Sequence, residues 1–552
     1  MRAVPAVIRR SLAGNKLFAL ALIPAVLLRV DAELGYRWQS WFNDSFSYVS
    51  AAVTLTPDTS RPSGYPVYLW LLSPFHSYLL VTVSQHLMGL LVAVMIYALA
   101  RRRFAAPAWV AVLFTLPVLY DGFEIQLEHL IMTDTLFLFL AFAAVTVLLW
   151  SPRPSWRACL AAGLLLGLST TVRSTGLALV PVFGLYLLIR FLPGVAAAGW
   201  RGWRALIAGL VVCGIAFAVP VFGYEAWYKS AHGEFTMTES TGVFLYSRVM
   251  TFADCSRITL PTDLLALCTS VPPAQRPIAQ AYIWTDVSPL DRFPAPKFSP
   301  TVNQLAEEFA LRAIEAQPLD YARTVWDDTA RSFDWNRQVF PNGQTYDEYL
   351  FSYSSLVIPG SPFRGYPSPE AYYVRGNPDT AVVNPFATLI RVYQRYVWLP
   401  GTVFGLILLV GLFGIVLRWR FAPAGAGGAG RAARAGRDAL LPWLCSVALV
   451  VAPAATAEFD YRYVTTAVPF ACLAAAMVFG RRARGEQPDG AAGTGATSAG
   501  AVVGPAGDAP GDAPGGEPGG APLLPRRVPG SGLSGGLAKA GHDQRDLAPD
   551  AP

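Results

Sequence analysis

The chain has 552 residues, of which 53% are apolar and only 14% are charged, and its formal net charge is +6. Soluble proteins are about 25% charged, so this composition excludes an ordinary water-soluble enzyme. The apolar residues are gathered in runs of roughly 20, the length that crosses the hydrocarbon core of a bilayer. The sequence therefore predicts an all-α multi-pass membrane protein.

The apolar runs predict about ten membrane helices. They cover 14–33, 78–100, 104–121, 130–150, 157–172, 175–193, 204–223, 397–418, 438–456 and 462–480. The first run ends in Arg29, Asp31 and Glu33 without a small-residue cleavage site. We interpret it as a retained helix rather than a signal peptide.

Basic residues predict the orientation, because Lys and Arg in short loops favour the cytoplasmic side. If the N-terminus is cytoplasmic and the helices alternate, every basic cluster between or beside the runs falls on that side. These clusters are Arg9, Arg10 and Lys16; Arg101, Arg102 and Arg103; Arg153 and Arg157; Arg190, Arg201 and Arg204; Arg418, Arg420, Arg431, Arg434 and Arg437; and Arg481, Arg482 and Arg484. We expect a plasma-membrane protein with both termini in the cytoplasm.

The distribution of polar residues divides the chain into four parts. An N-terminal transmembrane module (1–223) contains the first outer loop (34–77), and an extracytoplasmic domain of mixed α/β or α-rich structure (224–396) is inserted before the last three helices (397–480). The Gly-, Ala- and Pro-rich tail (481–552) is expected to be disordered, because its composition buries too little apolar area. Cys255 and Cys268 both fall in the outer domain, where a disulfide is expected; two free thiols are the alternative.

The first outer loop places Asp44 among aromatic residues. Partial desolvation there is expected to raise its pKa toward the range of a general base; a solvated loop acid is the alternative. Further along, Arg61-Pro62-Ser63-Gly64-Tyr65-Pro66 is typical of a turn before a helix.

The second outer loop is acidic. Glu124 and Glu128 lie four residues apart and so share one face of a helix. With His129 they are expected to bind a cation or orient a polar acceptor, unless they are interfacial charges facing lipid headgroups. Asp134 lies inside the next run, where an ionisable residue usually faces a polar cavity.

Besides Arg61, two arginines close to the apolar runs fall on the outer side, against the basic-inside tendency. Arg173 is surrounded by hydroxyl residues and Arg462 follows Asp460 and Tyr461. A guanidinium group binds phosphate through two parallel hydrogen bonds, so both arginines are candidate anion ligands; snorkelling toward the interface is the alternative. The topology gathers these residues, from four separate loops, on one side of the membrane.

Other patterns carry no function. The GxGxxG string at 425–430 follows a membrane helix rather than a strand, so it does not indicate a nucleotide site. Orientation explains the basic clusters, so we expect no nucleic-acid partner. Two other classes stay open: a transporter or flippase of a lipid-linked solute, and a non-catalytic scaffold or sensor. Transport is disfavoured because the polar residues gather at one face and the two halves do not match.

The order of these segments resembles the GT-C superfamily of membrane glycosyltransferases, which use polyprenyl-phosphate sugars. The closer likeness is to protein O-mannosyltransferases and lipid A aminoarabinose transferases. It rests on Asp44–Tyr48, Arg61–Pro66, Gln85-His86-Leu87, Glu128–Asp134, Gly163–Gly167 with Arg173–Gly176, and the Asp-Tyr-Arg-Tyr segment before the last helix. The likeness is good over 1–225 and weaker beyond. The Ala, Gly and Arg content resembles that of actinobacterial proteins.

The resemblance implies an inverting transfer from a polyprenyl-phosphate sugar to an extracytoplasmic hydroxyl of an envelope glycan, lipid or protein. Asp44 would be the base, and Arg173, Arg61 and Arg462, in that order, would bind the donor phosphate. The residues implied to position substrate are Tyr48, Tyr65, Glu124, Glu128 and Asp134. No cofactor is expected, and a metal is disfavoured because Asn43-Asp44 offers one acid where the family often has two. Trp284, Trp326 and Trp335 are expected in the outer domain's core, with sugar stacking as the alternative.

Overall fold

The computed structural model describes residues 15–152, 154–358, 360–420 and 429–480. The predicted disordered tail, the basic residues Arg9, Arg10 and Arg153, and most of the glycine-rich string at 425–430 lie outside the described residues.

The N-terminal half of the described chain is built of eleven α-helices. They are α1 (Lys16–Gly35), α2 (Asn43–Thr54), α3 (Gly64–Leu72), α4 (Tyr78–Ala98), α5 (Ala108–Leu113), α6 (Leu116–Tyr120), α7 (Gly122–His129), α8 (Thr133–Trp150), α9 (Trp156–Val172), α10 (Leu179–Ala198) and α11 (Trp200–His232). A π-helical turn (Leu99–Arg103) extends α4, and a 3₁₀ turn (Ser174–Ala178) joins α9 to α10.

The C-terminal half contains ten further α-helices within the described residues. They are α12 (Thr241–Val249), α13 (Ala281–Trp284), α14 (Pro300–Ala316), α15 (Pro318–Arg331), α16 (Gly343–Glu348), α17 (Pro369–Val374), α18 (Phe386–Tyr396), α19 (Gly401–Arg420), α20 (Ala429–Thr456) and α21 (Tyr461–Val478). Two strands, β1 (Tyr36–Arg37) and β2 (Ala381–Val382), pair antiparallel with Tyr36 opposite Val382.

Seven helical segments among the described residues are long and apolar enough to cross a bilayer. They are Tyr78–Arg103, Thr133–Trp150, Ser174–Leu192, Trp200–His232, Gly401–Arg418, Gly436–Thr456 and Tyr461–Val478. The chain is therefore a multi-pass membrane protein. α1 matches the first predicted span in position but carries four charged residues, and the exact number of spans stays a prediction.

The third predicted span is not one continuous helix. Pro107 precedes α5 and Pro117 lies in the first turn of α6. Asp121 then caps α7 by accepting a hydrogen bond from the Phe123 N–H at 3.0 Å, and α7 bends by 53° from the preceding segment. The break turns α7 into the protein, where all eight of its residues are buried.

The segment predicted as one outer domain has two parts. α11 continues past the predicted boundary at 223 to His232. The first part has its own core, which includes Tyr246 and Phe309, and it contains the predicted Cys255–Cys268 disulfide. The second part packs Tyr349 and Tyr373 into the main core with the membrane helices. The segment is α-rich, as one of the two sequence-based alternatives stated.

The main core is centred on α21 and α8, whose side chains are mostly buried. α21 packs against α19, α20, α4 and α8. Its first turn therefore opens at the centre of the bundle, which places Arg462 among the loops that follow α1, α2 and α9.

Candidate active site

Asp44 lies at the centre of a charged cluster. It occupies the first turn of α2, where the helix N-terminus favours a negative charge. Its Oδ1 accepts a hydrogen bond from Arg61 Nη2 at 2.6 Å, and its Oδ2 accepts one from Arg462 Nη1 at 2.9 Å. Asp44 is 8% exposed, which contradicts the alternative of a solvated loop acid.

The loop before α3 positions Arg61. Asp58 Oδ1 accepts hydrogen bonds from the Ser60 and Arg61 N–H groups at 2.6 and 3.1 Å, which turns the chain as the sequence predicts. At the start of α3, a Cβ on Gly64 would lie 2.6 Å from the Thr171 carbonyl carbon. Glycine at this position therefore lets the Arg61 loop approach the end of α9, which carries Arg173.

Arg173 and Arg462 reach the same region from α9 and α21. Arg173 forms an ion pair with Asp134 of α8, and Arg462 Nε donates to Asp460 Oδ2 at 3.0 Å. The two guanidinium carbons lie 4.9 and 5.4 Å from the centre of the Tyr463 ring. Two guanidinium groups thus share one aromatic ring, which contributes a cation–π attraction to each.

The cluster combines charge balance with access. Three guanidinium groups face three carboxylates, those of Asp44, Asp134 and Asp460. The side chains of Arg61, Arg173 and Arg462 are 20%, 11% and 13% exposed to solvent. An anion can therefore reach these cations, and it would shift the balance of charge when it binds.

The pKa of Asp44 differs from the sequence-based expectation. Burial acts to raise it, as expected, but the positive charges of Arg61, Arg462 and Arg173 outweigh burial and lower the pKa below its ordinary value. Aromatic neighbours alone would have produced the predicted rise. The pKa is lowered instead because three arginines from separate segments converge on one carboxylate.

Glu348 is a site residue that sequence reasoning missed. It ends α16, and its Oε2 accepts a hydrogen bond from the Asn43 N–H at 3.1 Å, directly before Asp44. Burial raises the pKa of Glu348 to about 7, against the lowering effect of that hydrogen bond, and the charge of Asp44 adds to the rise. No sequence signal joins residues 305 positions apart, so only the fold reveals this carboxyl group.

Two predicted tyrosines lie beside the cluster. Tyr48 is buried one helical turn after Asp44, and its ring is 5.5 Å from that of Tyr65. The Tyr65 hydroxyl donates to Gln85 Oε1 at 2.7 Å. Tyr48 therefore borders the charged groups. Tyr65 packs against the Tyr48 ring, and its hydroxyl is hydrogen-bonded to Gln85 of α4.

Glu124 and Glu128 share a face of α7, as predicted, but not the Asp44 cluster. Both oxygens of Glu128 accept hydrogen bonds from Arg29, each at 2.7 Å, and the residue is fully buried. Glu124 is also buried and borders a water-sized cavity beside Thr465. Because α7 turns inward, neither acid faces lipid headgroups, and the carboxylate of Glu128 is occupied within the protein rather than offered to a substrate.

The outer tryptophans are not in a core, contrary to the expectation. Trp284, Trp326 and Trp335 are 46%, 70% and 59% exposed. The guanidinium carbon of Arg61 lies 5.1 Å from the Trp284 ring centre. Trp284 thus forms an aromatic wall at the cluster, whereas Trp326 and Trp335 have no contact with Asp44 or its arginines among the described residues.

No family model matches the chain, and no curated protein matches its sequence. Similar solved structures exist, and they are GT-C glycosyltransferases, the superfamily that the sequence resembles. The Saccharomyces cerevisiae protein O-mannosyltransferase Pmt1–Pmt2 complex bound to the sugar donor is 18% identical, with 42% of this chain and 36% of that chain covered at a TM-score of 0.35.

Two further structures cover more of the chain. Archaeoglobus fulgidus oligosaccharyltransferase AglB, with an inhibitory peptide and a dolichol-phosphate, is 14% identical over 83% of this chain and 50% of that chain, with a TM-score of 0.38. Cupriavidus metallidurans ArnT bound to undecaprenyl phosphate is 14% identical over 84% and 77%, with a TM-score of 0.30. The chain thus spans about a third of the length of the Pmt chain and about half of the length of the AglB chain.

Proposed function

We propose that the chain is an integral-membrane glycosyltransferase of the GT-C type. It transfers a sugar from a polyprenyl-phosphate donor to a hydroxyl group of an envelope glycan, lipid or protein. One observation carries the proposal: Arg61, Arg173 and Arg462 converge from three separate segments around the carboxylate of Asp44. A base surrounded by accessible cations suits a reaction that removes a proton and releases a phosphate.

The leaving group requires the arginines. As the bond from the anomeric carbon to the phosphate oxygen breaks, negative charge grows on the polyprenyl phosphate, and guanidinium donors stabilise it. Arg173 is the first candidate, followed by Arg61 and Arg462. Their present carboxylate partners hold them in place until the donor phosphate competes for the same N–H groups.

Asp44 has the role of base. The incoming phosphate draws Arg61 and Arg462 away from the carboxylate, which removes the charges that lower its pKa. Asp44 thereby becomes a stronger base when the donor is bound. It takes the proton of the acceptor hydroxyl, whose oxygen attacks the anomeric carbon from the face opposite the phosphate, so the configuration inverts. The products are the glycoside and the free polyprenyl phosphate.

A second charged group supports the orientation. Asp438 of α20 pairs with Arg103, which follows α4, and with Arg190 of α10. Arg103 lies just beyond the end of α4 and Arg190 lies in the second half of α10, and these two helices begin on the side of Asp44 and Arg173. Since basic residues mark the cytoplasmic side, the active site faces the extracytoplasmic side of the plasma membrane.

The test is Asp44→Asn, assayed with a panel of radiolabelled undecaprenyl-phosphate monosaccharides and a cell-envelope acceptor extract. Loss of a positioned base lowers the rate about 10²- to 10⁴-fold, while detergent gel filtration shows an unchanged fold. Asp327→Asn is the matched control, because the Asp327 side chain is 60% exposed and pairs with Arg323 rather than with a residue of the cluster.

Full turnover by Asp44→Asn would reject the base. The unmodified protein is also tested for lipid translocation in proteoliposomes. If it transfers sugar from none of the donors but moves the labelled lipid across the bilayer, the chain is a flippase and not a glycosyltransferase.

A further inference from the structure

A second polar cluster lies inside the helix bundle, apart from Asp44. It consists of Glu33 near the end of α1, His86 in α4 and His129 at the end of α7, which are 8%, 4% and 0% exposed. His86 Nε2 and His129 Nδ1 are 3.4 Å apart, and they lie 3.7 and 3.8 Å from Glu33 Oε1. Three ligand atoms from three helices thus converge on one small volume. We call these residues the triad.

The outer contacts of the two histidines determine where their protons are. His86 Nδ1 lies 2.8 Å from Glu128 Oε2, and His129 Nε2 lies 2.9 Å from the Tyr36 carbonyl oxygen. Both partners are acceptors: a backbone carbonyl has no proton to donate, and Glu128 is ion-paired with Arg29. Each of these two nitrogens therefore carries the proton of its neutral ring. The inward nitrogens, His86 Nε2 and His129 Nδ1, therefore present lone pairs.

Glu33 adds a third acceptor without a donor. Neither of its carboxylate oxygens has a hydrogen-bond partner among the described residues. The Thr82 hydroxyl lies beside Glu33, but backbone carbonyls, including that of Trp38 at 3.1 Å, compete for its one proton. Two lone pairs and an ionised carboxylate facing one another in a buried volume would repel, and a cation between them would remove the repulsion and allow Glu33 to be ionised there.

We propose that Glu33, His86 and His129 bind one divalent transition-metal ion, with Zn²⁺ as the preferred ion. Two imidazoles and a carboxylate form a ligand set that suits zinc. In a tetrahedral site with bonds of about 2.0–2.1 Å, ligand atoms are about 3.3 Å apart. The observed separations of 3.4 to 3.8 Å reach this value if the side chains shift by a few tenths of an ångström.

The surroundings of the triad are those of a metal site. Metal-bound histidines usually donate their other ring N–H to a carboxylate or a backbone carbonyl, as His86 and His129 do here. Gly89 of α4 makes room for this arrangement, because a Cβ there would overlap the Glu128 carboxylate. The ion would tie α1, α4 and α7 together. The argument from sequence against a metal concerned the acid of the first outer loop, and the cation expected at the second outer loop combined His129 with the two glutamates of α7 rather than with Glu33 and His86.

The test measures metal content, so it does not depend on any transferase assay. Full-length protein in detergent is stripped with a chelator, incubated with Zn²⁺, separated from free metal and analysed by inductively coupled plasma mass spectrometry. We expect about one Zn²⁺ per chain in the unmodified protein and its loss in Glu33→Gln. The matched control is Glu124→Gln, which removes another buried acid, on α7, and keeps the metal.

Equal zinc in the unmodified protein and in Glu33→Gln, or no zinc in either, would overturn the site. If Glu33→Gln fails to fold, Co²⁺ loading of the unmodified protein decides. Intense visible d–d bands of a four-coordinate ion with nitrogen and oxygen ligands support the triad, and a six-coordinate spectrum or no bound Co²⁺ rejects it.

Discussion

The Asp44 cluster and the triad are both built of buried polar side chains, but their charges are arranged in opposite ways. Around Asp44, each carboxylate already faces a guanidinium group, and the arginines keep some access to solvent. In the triad, acceptors face acceptors and the histidines are sealed inside the helices. A paired, accessible cluster can exchange its partners for an anion, whereas a closed group of acceptors calls for a cation.

The comparison shows why buried acids in a membrane protein need their neighbours identified before a role is assigned. Asp44 and Glu128 each bind arginine, yet Asp44 keeps partners that a ligand can replace, and both Glu128 oxygens are occupied by a fully enclosed Arg29. Asp44 and Glu128 therefore differ in how accessible their arginine partners are to a ligand, not in their charge.

After Asp44→Asn, the largest effect is expected from Arg173→Ala. Removing one preorganised donor to the leaving phosphate lowers kcat for transfer about 10²- to 10³-fold. The loss concerns donor use more than acceptor use, because the acceptor is activated by Asp44. Steady-state kinetics with donor and acceptor varied in turn measure the difference.

Arg331→Ala is the matched control for Arg173→Ala, since its side chain is 41% exposed and pairs with Asp328. Unchanged donor KM and kcat in Arg173→Ala would remove this arginine from the phosphate site.

An intermediate effect is expected from Glu128→Gln, which tests the triad. Glutamine cannot fix the His86 tautomer as a carboxylate does, and loss of such an outer partner costs about 10- to 100-fold in metal affinity. Arg29 also loses its counter-charge in a buried site, which destabilises the fold by about 3–5 kcal/mol. Zinc competition with a chelating dye and thermal unfolding report the two effects.

Glu124→Gln serves again as the control for Glu128→Gln. Zinc affinity that is the same in Glu128→Gln and in the unmodified chain would show that Glu128 has no part in ordering the triad.

The smallest effect is expected from Glu348→Gln. The pKa of Glu348 is raised to about 7, so its carboxyl is protonated below that pH and ionised above it. If the ionised form accepts a hydrogen bond from the acceptor hydroxyl, the transfer rate rises with pH through about 7. Glu348→Gln flattens this rise and lowers the rate at pH 8 by about 10-fold or less.

A pH–rate profile of both proteins between pH 5.5 and 9 (about 1.5 to 2 units on either side of that pKa) makes the comparison. Glu308→Gln, another glutamate outside the membrane helices with its side chain 43% exposed, controls for loss of one charge. An identical rise in Glu348→Gln would assign the titration to another group.

The sequence predicted the elements better than the contacts between them. Long apolar runs predict helices by length alone, and nine of the ten have a helix at their position among the described residues. The broken one contains Pro117 and ends in Asp121, where the pattern of apolarity continues but the backbone does not. Topology also placed Asp44, Arg61, Arg173 and Arg462 on one side, because alternating spans sort loops without any knowledge of packing.

Which side chains pair with one another could not be predicted from the sequence. The sequence cannot show that Arg61 and Arg462 bind the same carboxylate, and this pairing reversed the expected pKa shift of Asp44. The triad left only a weak signal: Glu33, His86 and His129 are polar residues in or beside apolar runs, where polar groups are costly and tend to be retained for function. Their convergence depends on the bend of α7.

The length of α11 has a further consequence. With 33 residues it measures about 50 Å, which exceeds the hydrocarbon core by about 20 Å. Its far end holds the loop that carries Arg61, through Tyr224 at the Ser63 N–H (3.1 Å) and His232 at the Pro57 carbonyl (2.7 Å). The helix thus acts as a strut that fixes the position of the Arg61 loop relative to the helix bundle. For the proposed transfer, the acceptor hydroxyl has to reach that loop, so the reach of an acceptor's tether becomes a criterion of selection beside its chemistry.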